Sequence, residues 1–383
     1  RDRDIESRLV HQQGIPESAA TRAHARHHFL NRVLNRFYVE VQTDVFHRTN
    51  RFREYDLRPM LSACDIVHIH QATDWVGLGN LFADVPKETP IIISLHDLWP
   101  ITGGCVIHNG CEQYRNDCGA CPILKKPLNY FLPRRQLKAK ARIYDRDNLA
   151  FVANSQWTFD QMQGAAALRD DQSISIIHPS VDTDCFFPAN RLAARRKLDI
   201  AADAFVVCTG AASITDANKN IPAVFSAVAK LKSDRPIVIL VFGHGTLPGP
   251  DGIDIRLLGS VEDHAILAEI YNSSDVFVST SRMETYGMTL IEAMACGIPV
   301  IAYRTGAIPC VVEHEVTGML AGLNDEECVT ESIQQLHDDE PYRVQLGQRG
   351  CDTATERNSR NQLVAKHLEL YRAMLRRSSP IIK

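Results

Sequence analysis

The chain has 383 residues, 42 Lys/Arg against 46 Asp/Glu for a formal charge of −4, and 45% hydrophobic and 23% charged residues. That balance argues against a dedicated nucleic-acid binder. No apolar run approaches the roughly 18–20 residues of a membrane-spanning helix, and the length suggests about two domains.

With no signal-peptide pattern in view, the expected location is cytoplasmic, at most peripheral on the inner face of the plasma membrane. The sequence opens without Met, and Ile5 to Val10 reads as a short strand after a charged lead-in. The strand and tight Gly turn that normally open an α/β domain are not seen, so the expectation is that a first strand and loop are missing. A charged, aromatic helix follows over 17–38. The runs 65–70 and 90–96 have the near-continuous aliphatic character of parallel strands covered on both faces. A Gly- and Cys-rich insert covers 97–127, and a basic helix runs over 132–147. A strand at 150–154 leads into a helix from Trp157, and a short strand at 173–177 enters the turn-like Pro179–Asp184.

Polar composition at 190–204 marks a domain connection. Beyond it, strands are expected at 205–209, 237–242, 255–258, 276–279 and 300–302, with helices at 221–231, 264–272, 288–296 and 326–337. Strands alternating with crossover helices imply a parallel sheet whose ligands sit beyond the carboxyl ends of the strands. Those ends carry Gly210, Gly243, Ser281 and Tyr303.

The segment from Ser279 to Pro299 concentrates the chemistry. A strand ends at its serines, a loop carries Glu284, and Gly287 opens a helix closed by Gly297 and Pro299. The helix N-terminus around Thr285, Tyr286, Gly287, Met288 and Thr289 offers backbone N–H groups and a positive dipole end suited to a diphosphate. Glu292 shares its helix face with Met288, Thr289, Ala295 and Cys296, none of them charged. A buried carboxylate needs a partner, and ribose hydroxyls or neighbouring backbone would serve.

Glu284 and Glu292 match the E-x7-E motif, and the chain resembles glycosyltransferase family 4, retaining enzymes of GT-B fold. The resemblance runs through Gly259-Ser-Val-Glu-Asp-His264, Tyr271–Asp275, Lys219 in Asp216-Ala-Asn-Lys-Asn220, and Pro179–Asp184. It implies an α/β protein of two doubly wound Rossmann-like domains facing a cleft. The expected bounds are 1–190 on the acceptor side and 191–355 on the nucleotide-sugar side, with the helix at 356–383 returning to the first domain. Glu284 would bind donor-sugar hydroxyls, Glu292 the ribose, and Lys219 the diphosphate without a catalytic metal. Ser213, Gly243, Gly259 and residues 285–288 would line the donor pocket. Ser213 stands where many members have arginine, leaving Lys219, backbone donors and Arg282 to neutralise the diphosphate. Cys310 stands where many have glutamate.

On the first-domain side, His96 follows a strand and would approach the donor sugar, with Asp97 orienting it or capping the next turn. His70 would line the acceptor site or sit in the core. Cys105, Cys111, Cys118 and Cys121, spaced C-x5-C-x6-C-x2-C among glycines, suggest structural zinc, with free thiols and disulfides as alternatives. The resemblance narrows to surface-polysaccharide transferases that carry such an insert. Eight Lys/Arg between Lys125 and Arg146, with Tyr130, Phe131 and Leu132, fit either anionic lipid or a solvated basic helix. The stretch 22–36 is equally ambiguous. The donor is expected to be a UDP- or GDP-sugar and the acceptor a glycan or lipid-linked sugar. A sugar-nucleotide epimerase and a silent nucleotide-sugar-binding subunit are the alternatives.

Overall fold

A computed structural model describes residues 56–70 and 77–378. The expected helix at 17–38, the basic stretch at 22–36 and the strand at 5–10 lie outside the described residues. The chain divides into two compact units. The first takes in described residues up to Ala153, then Asp160–Ser175 and those from Leu370 on; the second takes in Asn154–Phe159 and Ile176–Glu369. Residues 176–190 thus group with the second unit, ahead of the boundary expected at 190.

The first unit is built on a four-stranded sheet of β1 (Val67–Ile69), β2 (Ile91–Leu95), β3 (Leu149–Ala153) and β4 (Ser173–Ile176), in that spatial order. β1 pairs parallel with β2, and β2 with β3. Every residue of β2 and β3 is buried, which explains their near-continuous apolar runs. The basic helix begins earlier than expected, spanning Leu128–Tyr144 with Pro133 inside it. Its buried side turns Leu137, Lys140 and Tyr144 inward.

The second unit is a six-stranded sheet of β5 (Phe205–Ser213), β6 (Ile237–His244), β7 (Asp254–Gly259), β8 (Val276–Ser279), β9 (Val300–Tyr303) and β10 (Met319–Ala321). Its order is β10-β9-β8-β5-β6-β7, and all neighbours are parallel. The order reverses at β5, so the loops after β5 and β8 leave adjacent strands at a topological switch point, the usual ligand crevice of such sheets. Buried Asp275 fixes this pairing. Its Oδ2 accepts from Val206 N at 2.8 Å and from Arg195 at 2.6 Å, and its Oδ1 accepts from Arg191 at 2.8 Å.

β5 continues past its expected end at Thr209 to Ser213, through a register shift after Gly210. The next-to-last residue of its neighbour β6 is Gly243 at φ +128°, where an added Cβ would lie 1.9 Å from Ala211 O. Only glycine permits that close approach of the two strand ends.

Candidate active site

The loop after β5 reaches the loop after β8, although 65 residues separate their key side chains. Lys219 Nζ meets Glu284 Oε1 at 2.6 Å, both side chains largely covered at 27% and 18% exposure. The backbone prepares this meeting. Asn218 N donates to Asp216 Oδ1 at 2.8 Å and Lys219 N to Asp216 O at 3.0 Å, folding 216–220 into a tight turn. Asn220 completes it at φ 52°, a left-handed conformation that asparagine tolerates better than most residues. Arg282 N then donates to Asn218 O at 2.7 Å, and Asn218 Nδ2 to Met283 O at 3.0 Å.

Gly287, at φ +98°, is the N-cap of the helix Met288–Ala295, as the sequence implied. One and a half turns in, Glu292 lies on an otherwise apolar face. Its partner is Tyr271, whose hydroxyl donates to Glu292 Oε2 at 3.1 Å. Burial raises the Glu292 carboxyl from 4.5 to about 7, and the Tyr271 hydrogen bond partly offsets that. Sequence reasoning missed Tyr271 because it belongs to a different helix, His264–Ser273. Its one legible signal was an aromatic hydroxyl on a buried helix face, which needs an acceptor.

The other expected donor-pocket residues divide. Ser213 pairs in register with His244, and its Oγ lies 3.1 Å from Thr215 Oγ1. Gly259 ends β7 with φ +71°. Thr285 is half-buried and Met288 is 37% exposed. Tyr286, in contrast, is buried: its hydroxyl accepts from Asn358 Nδ2 at 2.6 Å and its ring stacks on His178. It anchors the loop from below. Arg282, considered as a second diphosphate cation, spends its guanidinium on Ala217 O, Asn220 Oδ1 and Asn324 Oδ1.

In the first unit, His96 Nε2 shares a 3.1 Å hydrogen bond with His70 Nδ1, one ring donating and the other accepting. The His70 ring lies against His68 at a 32° tilt, and His68 bonds Tyr371 at 2.7 Å and Ser94 at 2.8 Å. Loss of hydration pushes the His96 pKa below its usual value, favouring neutral imidazole. Asp97 Oδ1 accepts from Trp99 N at 2.7 Å, the turn-capping role. Behind this turn Lys140 is buried, its ammonium over the Trp99 ring and donating to Trp99 O and Thr102 O. It is therefore not part of the basic surface counted from the sequence.

Cys105, Cys111, Cys118 and Cys121 line one small cavity with Tyr114 and Ile123. Burial pushes the Cys105 and Cys118 thiols up to about 12. Among the described residues, no group of three or more His, Cys, Asp or Glu side chains is arranged to hold a metal ion. The four thiols are gathered, but as placed they do not form a ready-made zinc site.

Both sheets, their parallel order and the site at a strand-end crevice define an α/β protein of the GT-B glycosyltransferase fold. Solved structures bear this out. Sucrose-phosphate synthase from Thermosynechococcus elongatus is similar over 82% of this chain and 74% of its own, at TM-score 0.63 and 20% identity. Anabaena HepE, solved with UDP and glucose, is similar over 80% and 78%, at TM-score 0.58 and 18% identity. Residues 204–339, from β5 through the helix after β10, match the family model for glycosyl transferases group 1. A D-inositol 3-phosphate glycosyltransferase of Saccharomonospora viridis is 29% identical over 331 residues, 80% of this chain and 70% of that protein. An N-acetyl-alpha-D-glucosaminyl L-malate synthase of Bacillus anthracis is 30% identical over 168 residues, where the chain spans less than half of the relative's length.

Proposed function

We propose that this chain transfers a sugar from a UDP- or GDP-sugar to a glycan or lipid-linked acceptor, with retention at the anomeric carbon and without a catalytic metal, in cell-surface polysaccharide synthesis. The observation that carries the reading is the Lys219–Glu284 pair at the switch point, its glutamate on the loop that leads into the Glu292 helix. In this reading ribose hydroxyls donate to Glu292, and Glu284 accepts from the donor sugar. Lys219 turns from Glu284 to the diphosphate, where its ammonium neutralises charge developing on the leaving group. The bond from the anomeric carbon to phosphate oxygen breaks while the acceptor oxygen bonds to the same face. The acceptor proton passes to the departing phosphate, so no enzyme nucleophile is required. His96, hydrogen-bonded to His70, is proposed to meet a sugar hydroxyl. No step is routed through the cysteine cluster, for which a zinc would have a structural role only.

Incubation with UDP- and GDP-sugars and an acceptor panel, in the presence of a chelator, tests the reaction. Product with the donor's anomeric configuration, read by NMR coupling, is expected. An inverted product overturns retention, loss of turnover in chelator overturns metal independence, and free epimerised sugar nucleotide without acceptor would favour an epimerase.

The lipid side of the proposal rests on the helix Leu128–Tyr144. It contains no Asp or Glu, and Phe131 and Tyr130 are 71% and 48% exposed beside Arg135, Lys138 and Arg142. Clustered cations with exposed aromatics bind anionic lipid at about 1 kcal/mol per charge. No described helix is long and apolar enough to cross a membrane. The protein is expected to co-sediment with phosphatidylglycerol-containing vesicles and to lose this with Phe131→Ala combined with Arg135→Glu. Equal binding to purely zwitterionic vesicles, or no binding to either, would remove the lipid contact from the proposal.

A further inference from the structure

We infer that Arg282 is a positioning residue for the Lys219–Glu284 pair, a three-way tie that builds the diphosphate-facing lysine without itself touching phosphate. The inference rests on the nucleotide-sugar reading of this site and adds a residue to it.

The guanidinium donates in three directions. Nη1 reaches Ala217 O at 2.7 Å, Nη2 reaches Asn220 Oδ1 at 3.2 Å, and Nε reaches Asn324 Oδ1 at 3.2 Å. All three acceptors are neutral, and they lie in two loops other than its own, after β5 and after β10. An exposed arginine has no need to satisfy itself in this way, since water would serve equally well. Its planar fork is suited to holding separate acceptors at fixed angles, which an ammonium cannot do.

The two acceptors in the lysine loop, Ala217 and Asn220, bracket Lys219. The backbone adds to the grip: Arg282 N donates to Asn218 O at 2.7 Å, and Thr280 Oγ1 donates to Asn220 O at 2.8 Å. On its other side Arg282 O accepts from Thr305 Oγ1 at 2.7 Å. Glu284 follows Arg282 by two residues. One side chain therefore fixes the base of the lysine relative to the base of the glutamate. A lysine carries substantial rotamer entropy, and setting its stem in place reduces what binding must still order.

The test measures affinity of the full chain for nucleoside diphosphate and monophosphate by calorimetry, using whichever of UDP, GDP and ADP the wild type binds. Arg282→Ala and Arg282→Lys are each expected to weaken diphosphate binding about tenfold, as loss of a charged hydrogen-bonding group would, and to leave the monophosphate nearly unchanged. Asn324→Ala, which removes one acceptor and disturbs the loops least, should show a smaller loss of the same kind. In a Lys219→Met background, Arg282→Ala should add almost nothing. Wild-type affinity in Arg282→Lys would mean that charge alone matters. A full effect persisting in Lys219→Met, or equal loss of both nucleotides, would mean direct phosphate contact or general loss of structure. Any of these overturns the tie. A wild type that binds none of the three diphosphates removes the donor site, and this role with it.

Discussion

Glu292→Gln is expected to make the free protein more stable at pH 8 while abolishing most of its nucleotide binding. Burial raises the Glu292 carboxyl to about 7 in the folded chain, against 4.5 when solvated. The folded state therefore holds this proton more tightly than the unfolded state does. Stability is greatest below pH 4.5, falls as pH rises towards 7, and stays reduced above it. At pH 8 the ionised, buried carboxylate costs about 1–3 kcal/mol, and glutamine, which still accepts from Tyr271, does not bear that cost. The same ionisation serves binding, because a carboxylate accepts ribose hydroxyl hydrogen bonds more strongly than a carboxylic acid. Wild-type nucleotide affinity should weaken about tenfold from pH 8 to pH 6, and the glutamine variant should show no such dependence. Thermal melts and calorimetry at the two pH values measure both effects. A destabilised variant, or one that keeps the pH-dependent affinity, would show that Glu292 is a structural residue.

Lys219→Met should reduce kcat/KM by about a thousandfold or more, since it removes the cation paired with Glu284 and leaves that carboxylate facing a diphosphate. Methionine keeps the stem, so folding should be little affected. Glu284→Gln separates the two halves of the pair. It frees Lys219 from its competitor and removes a like charge from the diphosphate site, so nucleoside diphosphate should bind several-fold tighter, on the order of 1 kcal/mol for a partly exposed ion pair. Turnover should nonetheless fall, because the sugar loses its acceptor. Tighter product binding together with slower transfer distinguishes a sugar-contacting glutamate from one that merely shields the lysine. Weaker diphosphate binding in Glu284→Gln would contradict this division of roles.

Much of this architecture was legible in the sequence because the physics is local. β2 and β3 are buried at every position, and such strands read as near-continuous apolar runs, interrupted here only by Ser94, which bonds His68. Gly287 and Glu292 could be read from one helix, where cap and face follow from spacing. What escaped depends on contacts between distant segments. Tyr271 reaches Glu292 from another helix, and no period links them. Arg282 was a candidate diphosphate cation because Ser213 stands where many members have arginine; its acceptors come from loops distant in the sequence. Tyr286 seemed to belong to the pocket by position, yet it points to Asn358. Lys140 counted as surface charge, but Trp99 and two carbonyls bury it. The four cysteines line one cavity, whereas coordination geometry is set by loop conformation that spacing does not specify.

The central claim is that the second unit binds a nucleotide sugar through Glu292, Lys219 and Glu284. Its most direct test is calorimetric titration of the full chain at pH 8 with UDP-, GDP- and ADP-sugars, alongside Glu292→Ala. One sugar nucleotide should bind the wild type, and the variant should lose about thirtyfold or more in affinity, the cost of removing a charged hydrogen-bonding group. Failure of every sugar nucleotide to bind, or equal binding by wild type and Glu292→Ala, would contradict the claim.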